Sequence, residues 1–126
     1  MLRSRFVSSL LLSALVLGAP GLAQAQTYPD RPIKLVVPFA PGGATDILGR
    51  LLATALGERL GQPMVVENRP GAGTVVAASM VAKAPADGYT LLLGSNTTLT
   101  MNPAIRTNLP YDPLKSFTPL ALVADM

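Results

Sequence analysis

Three short stretches hold the residues whose types and spacing could do chemistry. Phe39-Ala40-Pro41-Gly42-Gly43-Ala44-Thr45-Asp46 leaves an apolar run and enters a helical pattern. Free N–H groups at a helix start, aided by the helix dipole, can hold a carboxylate or a phosphate. The paired glycines let backbone and ligand approach without a Cβ between them. No Gly-Lys-Ser/Thr follows, so this is not a P-loop. A tight turn capped by Thr45 is the bland alternative. Asp46 is awkward beside an anion; it either serves the helix dipole or receives a cationic or hydroxyl group of the ligand.

Asn68-Arg69-Pro70-Gly71-Ala72-Gly73-Thr74 is a second glycine loop. Its Gly-x-Gly lacks the third small residue of a dinucleotide fingerprint, because Val76 stands there. Asp87 is also too close downstream for the usual ribose contact. Arg69 could pair with an anion or serve as a solvated or structural arginine, and Thr74 could cap the next helix and face a cleft. Ser95-Asn96-Thr97-Thr98 is the third stretch, whose hydroxyls and amide can donate hydrogen bonds without carrying charge, or cap a short helix.

What is missing narrows the chemistry. The chain of 126 residues has no Cys and no His, which excludes disulfides, thiolate nucleophiles, His-based triads and Cys/His zinc sites. No Gly-x-Ser-x-Gly elbow is present, so an esterase would have no base for Ser95. Binding is therefore favoured over catalysis, and no cofactor or metal is expected. Magnitudes bound what binding these loops can achieve alone. Micromolar affinity needs about −8 kcal/mol, whereas a hydrogen bond to a charged group contributes about 1.5–3 kcal/mol and a helix terminus about 0.3–1 kcal/mol. An opposing surface has to enclose the ligand.

The elements that position these loops follow from periodicity. Ile33–Ala40 is an apolar run of strand length in which Pro38 ends the ladder. From Thr45 the pattern turns helical, with Ile47, Leu48, Leu51, Leu52, Ala55, Leu56 and Leu60 on the expected buried stripe. Gly61 and Pro63 stop that helix. Met64–Val66 is a second strand, Thr74–Ala84 a second helix, and Thr90–Leu93 a third strand. A short helix or irregular turn runs on through Met101 and Ile105, and Pro110–Pro113 forms another turn. Leu120–Val123 is a last apolar run, read as a strand with an open edge. Strands alternating with helices predict an α/β layer fold with a parallel sheet, which brings all three loops to its carboxyl edge.

The N-terminus reads as a secretory signal over residues 1–25. Arg3 and Arg5 form the basic region, Phe6–Ala19 the apolar stretch, and Ala23-Gln24-Ala25 a small-x-small cleavage site. The apolar stretch of 14 residues is shorter than the roughly 20 that span a bilayer, although a retained anchor is the alternative. Removing the two leader arginines leaves eight basic against seven acidic residues, so the formal charge of +3 falls to about +1. That balance gives no footprint for nucleic acid.

Five blocks in register give the sequence a resemblance. They are Tyr28–Ile33, Val37–Asp46, Val66–Gly73, Ala84–Leu91 and Tyr111–Pro119, and they resemble the Bug family, the extracytoplasmic solute receptors of tripartite tricarboxylate transporters. The resemblance implies a periplasmic, two-lobed binding-protein fold of type II that closes on small di- or tricarboxylates or related acids. It also implies membrane transporter subunits as partners and a monomeric receptor. By that resemblance Phe39, Ala40, Gly42, Gly43, Thr45 and Asp46 hold a carboxylate, joined by Arg69, Thr74, Ser95, Asn96 and Thr97. Residues 26–126 then correspond to the first part of lobe one, with lobe two absent. The alternatives are a periplasmic ligand sensor feeding a regulatory partner, or a truncated remnant without function.

Overall fold

In the computed structural model, residues 27–125 are described; the expected leader, with its cleavage site, lies outside them. The order is strand β1 (Ile33–Val37), helix α1 (Ala44–Leu60), strand β2 (Met64–Asn68), a 3-10 turn (Ala72–Thr74) running into helix α2 (Val75–Ala82), and strand β3 (Thr90–Leu92). A π-helical turn (Thr97–Met101) then continues into the short helix α3 (Asn102–Ile105).

The three strands form one parallel sheet in the order β2-β1-β3. Val37 lies opposite Asn68 and Val36 opposite Leu92, so the three strands end level with one another. Pairing runs one residue past the strand ends, through Arg69 N to the Val37 carbonyl (2.8 Å) and Leu93 N to the Val36 carbonyl (2.9 Å). The loops after β1, β2 and β3 therefore leave from one edge, as parallel βαβ units require.

β1 is central, and Ile33, Leu35, Val36 and Val37 are buried. Leu35, Val37 and Leu93 face α1, with Leu52, Met64 and Val66 packed around them. Val36 points to the opposite face by strand alternation, where α2 buries Ala77 and Ala78 completely. At roughly 25 cal/mol per Å² of apolar surface, burial of this β1 row is the main drive for the layer.

Helix α1 does not bury the stripe expected from its leucines. Its buried positions are Asp46, Gly49 and Ala53, while Ile47 is 54% and Leu51 65% exposed and Ala55, Leu56 and Leu60 are exposed as well. Two local features turn the helix this way. Asp46 is tied inward by hydrogen bonds, and Gly49 sits so close to the sheet that a Cβ there would lie 3.0 Å from Val37 Cγ2 and 3.4 Å from Leu93 Cδ2. Close approach at Gly49 leaves room on that face for small residues and pushes the larger ones outward.

Two further expectations are corrected. Gly43, not Thr45, occupies the N-cap of α1, and no side chain caps the helix; Thr45 already lies in its first turn. Leu120–Val123 forms no strand: Leu122 is 84% exposed and the run pairs with nothing in the sheet. Gly61 does close α1 in the left-handed conformation, its N–H bonded to the Gly57 carbonyl at 3.0 Å.

The opposite, amino edge of the sheet is strapped by the segment before β1. Tyr28 donates to the Gly88 carbonyl at 2.8 Å, and Tyr89 donates to Asp30 at 2.6 Å. Arg31 stacks over the Tyr89 ring and pairs with Asp87 at 2.9 Å. Asp30 beside it raises the Tyr89 hydroxyl above its ordinary pKa. These contacts place the first sequence block against the fourth, away from the loop edge.

Candidate functional site

The first loop is organised by Asp46. Its carboxylate accepts from the Gly42 amide (2.9 Å), Arg50 Nε (2.9 Å) and Asn68 Nδ2 (2.9 Å). These three donors hold the carboxyl well below its usual range, at about 2, with Arg50 the largest influence, then Gly42, then Asn68. The sequence left open whether Asp46 meets the ligand. In this fold the side chain is buried and turned into its own loop, and Arg50 neutralises its charge. One of the two glycine amides, that of Gly42, is consumed by this arrangement.

The amides of Gly43, Ala44, Thr45 and Asp46 differ. The first intrahelical bond of α1 runs from Ile47 N to the Gly43 carbonyl (3.0 Å), so these four N–H groups precede it and have no acceptor among the described residues. They carry the positive end of a 17-residue helix. Ala40 and Gly43 are exposed beside them, and Phe39 is half-buried against the core.

Asn68, at the end of β2, ties the second loop to the first. Its amide nitrogen donates to the Phe39 carbonyl (3.0 Å) and to Asp46, and its oxygen accepts from Arg50 Nη2 (3.2 Å). Arg69 is less available than its charge suggested. Its guanidinium pairs with Glu67, which Lys34 also meets at 2.7 Å, and these partners lower the Glu67 pKa, Lys34 first.

The second and third loops are joined by hydroxyls. Thr74 is 2% exposed and accepts from Thr98 Oγ1 (2.9 Å) and Asn102 Nδ2 (3.3 Å). It stands at the N-cap of α2, yet its side chain makes no cap bond. Ser95, half-buried, lies 3.2 Å from Thr98 Oγ1 and receives the Thr98 amide at 3.4 Å. Asn96 is exposed, with its side chain unbonded among the described residues, and Thr97 turns toward Met101 Sδ (3.9 Å).

The edge therefore gathers Phe39, Ala40, Gly43, Thr45, Thr74 and Ser95 around neutral donors. Gly42 and Asp46 build the loop from within, and Arg69 stays paired with Glu67. Arg50, Asn102 and Tyr111 were not singled out from sequence, and Asn68 and Thr98 were named in their loops without being assigned to the ligand, although all five help to hold the edge. One signal was legible: Thr98, Asn102 and Arg106 recur every four residues, a polar stripe on one helical face.

Such a rim suits an anion with several oxygen atoms, and comparison with known proteins points the same way. The profile of the tripartite tricarboxylate transporter family receptor (TctC) matches residues 48–126. The chain belongs to this family. It is 42% identical over its whole length to the protein BugT of Bordetella pertussis. Among solved structures, this TctC-family chain superimposes on MatC of Rhodopseudomonas palustris with bound malate at a TM-score of 0.73, with 45% identity over 76% of the chain and 33% of MatC. It also superimposes on R. palustris Rpa4515 with adipate at a TM-score of 0.66, with 46% identity over 69% of the chain and 29% of that protein. The chain spans 38% of BugT and about a third of other curated relatives that it matches. The periplasmic-binding-protein architecture expected from sequence is the one these neighbours share.

Proposed function

We propose that this chain is the first part of lobe one of a periplasmic receptor for a small organic carboxylate, delivering it to the membrane subunits of a tripartite tricarboxylate transporter. The protein carries no catalytic step in this reading. A ligand carboxylate sits at the unpaired amides of Gly43, Ala44 and Thr45 and takes a further hydrogen bond from Thr74, with Ser95 placed behind it through Thr98. Ala40 and Phe39 wall the rim, Asn96 and Thr97 border it, and Arg69 supplies positive potential from its place on Glu67. No metal or cofactor has a part.

The observation that carries this reading is the cross-linking of three loops at one sheet edge, through Asn68 on one side and Thr74 on the other, in a chain whose structural neighbours hold malate and adipate. Donors without charge suit a ligand that must be released again, since each hydrogen bond gives about 1.5–3 kcal/mol to an anion. Enclosure by a second lobe supplies the remainder.

The test is thermal melting of the full natural chain that carries this sequence, against malate, adipate, citrate and other small carboxylates. A ligand at a hundredfold its dissociation constant adds about 2.7 kcal/mol to stability, so at least one acid should raise the melting temperature by several degrees. Absence of any rise across the panel at millimolar concentration overturns the reading.

A further inference from the structure

Residues 71–74 have four consecutive positive φ angles: Gly71 at 143°, Ala72 at 48°, Gly73 at 63° and Thr74 at 75°. Two of these residues carry a Cβ, and such backbone persists only where its surroundings impose it. Side chains from residues 98–106 impose it. Arg106 Nη2 donates to the Ala72 carbonyl (3.1 Å) and Asn102 Nδ2 to the Gly73 carbonyl (2.7 Å), while Thr98 and Asn102 both reach the Thr74 hydroxyl. Tyr111 is buried and donates to the Thr98 carbonyl at 2.7 Å, which fixes the π-helical turn in its turn.

The direction of these bonds has a consequence. A threonine hydroxyl accepts two hydrogen bonds and donates one. The Thr74 oxygen accepts from Thr98 at 2.9 Å and lies 3.3 Å from Asn102 Nδ2, whose two hydrogens are shared among the Gly73 carbonyl (2.7 Å), Thr74 and the Tyr111 hydroxyl (3.4 Å). Thr98 spends its hydrogen on Thr74, so the 3.2 Å contact with Ser95 is donated by Ser95. The hydroxyls thus run one way, from Ser95 to Thr98 to Thr74, and each polarises the next. The Thr74 hydrogen ends the chain, and no described residue accepts it.

We propose that Thr98, backed by Asn102 and Tyr111, is a positioning residue of the carboxylate rim: it orders the Thr74 hydroxyl so that its hydrogen is left for a ligand oxygen. The proposal rests on the carboxylate reading above. Thr98 gives its hydroxyl hydrogen to Thr74, and Asn102 spends its amide on Gly73, Thr74 and Tyr111, so both act through Thr74 rather than on the ligand.

The experiment is calorimetric titration of the full natural chain with malate, adipate and citrate, together with the melting temperature without ligand. Thr98→Val keeps shape but removes the donor, and should weaken the best of these ligands roughly tenfold, the share of one hydrogen bond to a charged group. Thr98→Ser restores the hydroxyl and should bind within about twofold of the parent. Tyr111→Phe, which keeps the ring and loses the bond to Thr98, should weaken binding about threefold and decides the matter if the valine variant does not fold. A purely structural role would lower the melting temperature and leave the affinity of the folded protein unchanged. Parental affinity in folded Thr98→Val, or in Tyr111→Phe where the valine variant does not fold, overturns this proposal and leaves the carboxylate reading standing. A parent that binds none of the three acids overturns both.

Discussion

Asn68 Nδ2 lies 2.9 Å from Asp46 Oδ1 and 3.0 Å from the Phe39 carbonyl, so one side-chain amide at the end of β2 holds both the carboxylate and the backbone of the loop after β1. Its two hydrogens are both spent, and its oxygen takes Arg50. A group satisfied on every side fixes a geometry that packing alone would leave adjustable. Replacing Asn68 with Leu should lower unfolding free energy by about 1.5–3 kcal/mol, the range for a lost hydrogen bond to a charged group. Urea denaturation of parent and variant measures the difference, and an unchanged midpoint would remove Asn68 from this role.

The same carboxylate makes stability depend on pH. Asp46 is held at about 2 in the folded protein, chiefly by Arg50, against 3.8 unperturbed. A depressed carboxyl stabilises the fold above the unfolded value and loses that contribution as pH falls through the folded value. The loss should therefore fall between about pH 4 and pH 2. Asp46→Asn removes the titrating group, so the parent should lose more stability than the variant across this window. Melting temperatures taken at half-unit steps test this, and parallel curves would contradict it.

Gly49 sets how near α1 lies to the sheet. Val37 is fully buried in the central strand and has no room to retreat from a Cβ placed 3.0 Å away. Gly49→Val should destabilise the fold by about 1–3 kcal/mol through overpacking. Gly57→Val lies toward the other end of the same helix, where the nearest atom is the Gln62 carbonyl oxygen at 3.3 Å, and no core side chain stands in its way. The Gly49 variant should be the more damaged of the two in chemical denaturation, because its Cβ meets the buried Val37 side chain at 3.0 Å, closer than any atom stands to a Cβ at Gly57.

How far the sequence foretold this arrangement depends on whether the cause was local. Ile33–Val37 was legible because an apolar, β-branched run before a proline has few other uses. Parallel order, and with it the shared edge, followed from strands alternating with helices. The exposed face of α1 was not legible, since leucine spacing marks an apolar stripe without saying which neighbour it meets. Gly49 and Asp46 decided that through contacts with Val37 and Asn68, distant in sequence. Thr45 looked like a cap by type, but the chain enters the helix two residues earlier, at Gly43. For Arg69 the sequence left a ligand role and a structural role open, and the pair with Glu67, two residues before it, is the structural one.

Gly43 separates binding from stability most cleanly. Its φ is −80°, open to any residue, and a Cβ there would meet only the Ala40 carbonyl oxygen at 3.8 Å. A larger side chain therefore costs the fold little, whereas it stands in front of the unpaired amides at the start of α1. Gly43→Val should leave the ligand-free melting temperature within about a degree of the parent, as surface substitutions usually change stability by less than about 0.5 kcal/mol. It should also abolish the carboxylate-dependent rise. Lys83→Ala is the control: Lys83 is exposed at the far end of α2, away from the loop edge, and its loss should alter neither quantity. If Gly43→Val retains the full rise, the amides of the first loop are not where the carboxylate sits, and the rim would have to be rebuilt around Thr74 and Ser95 alone.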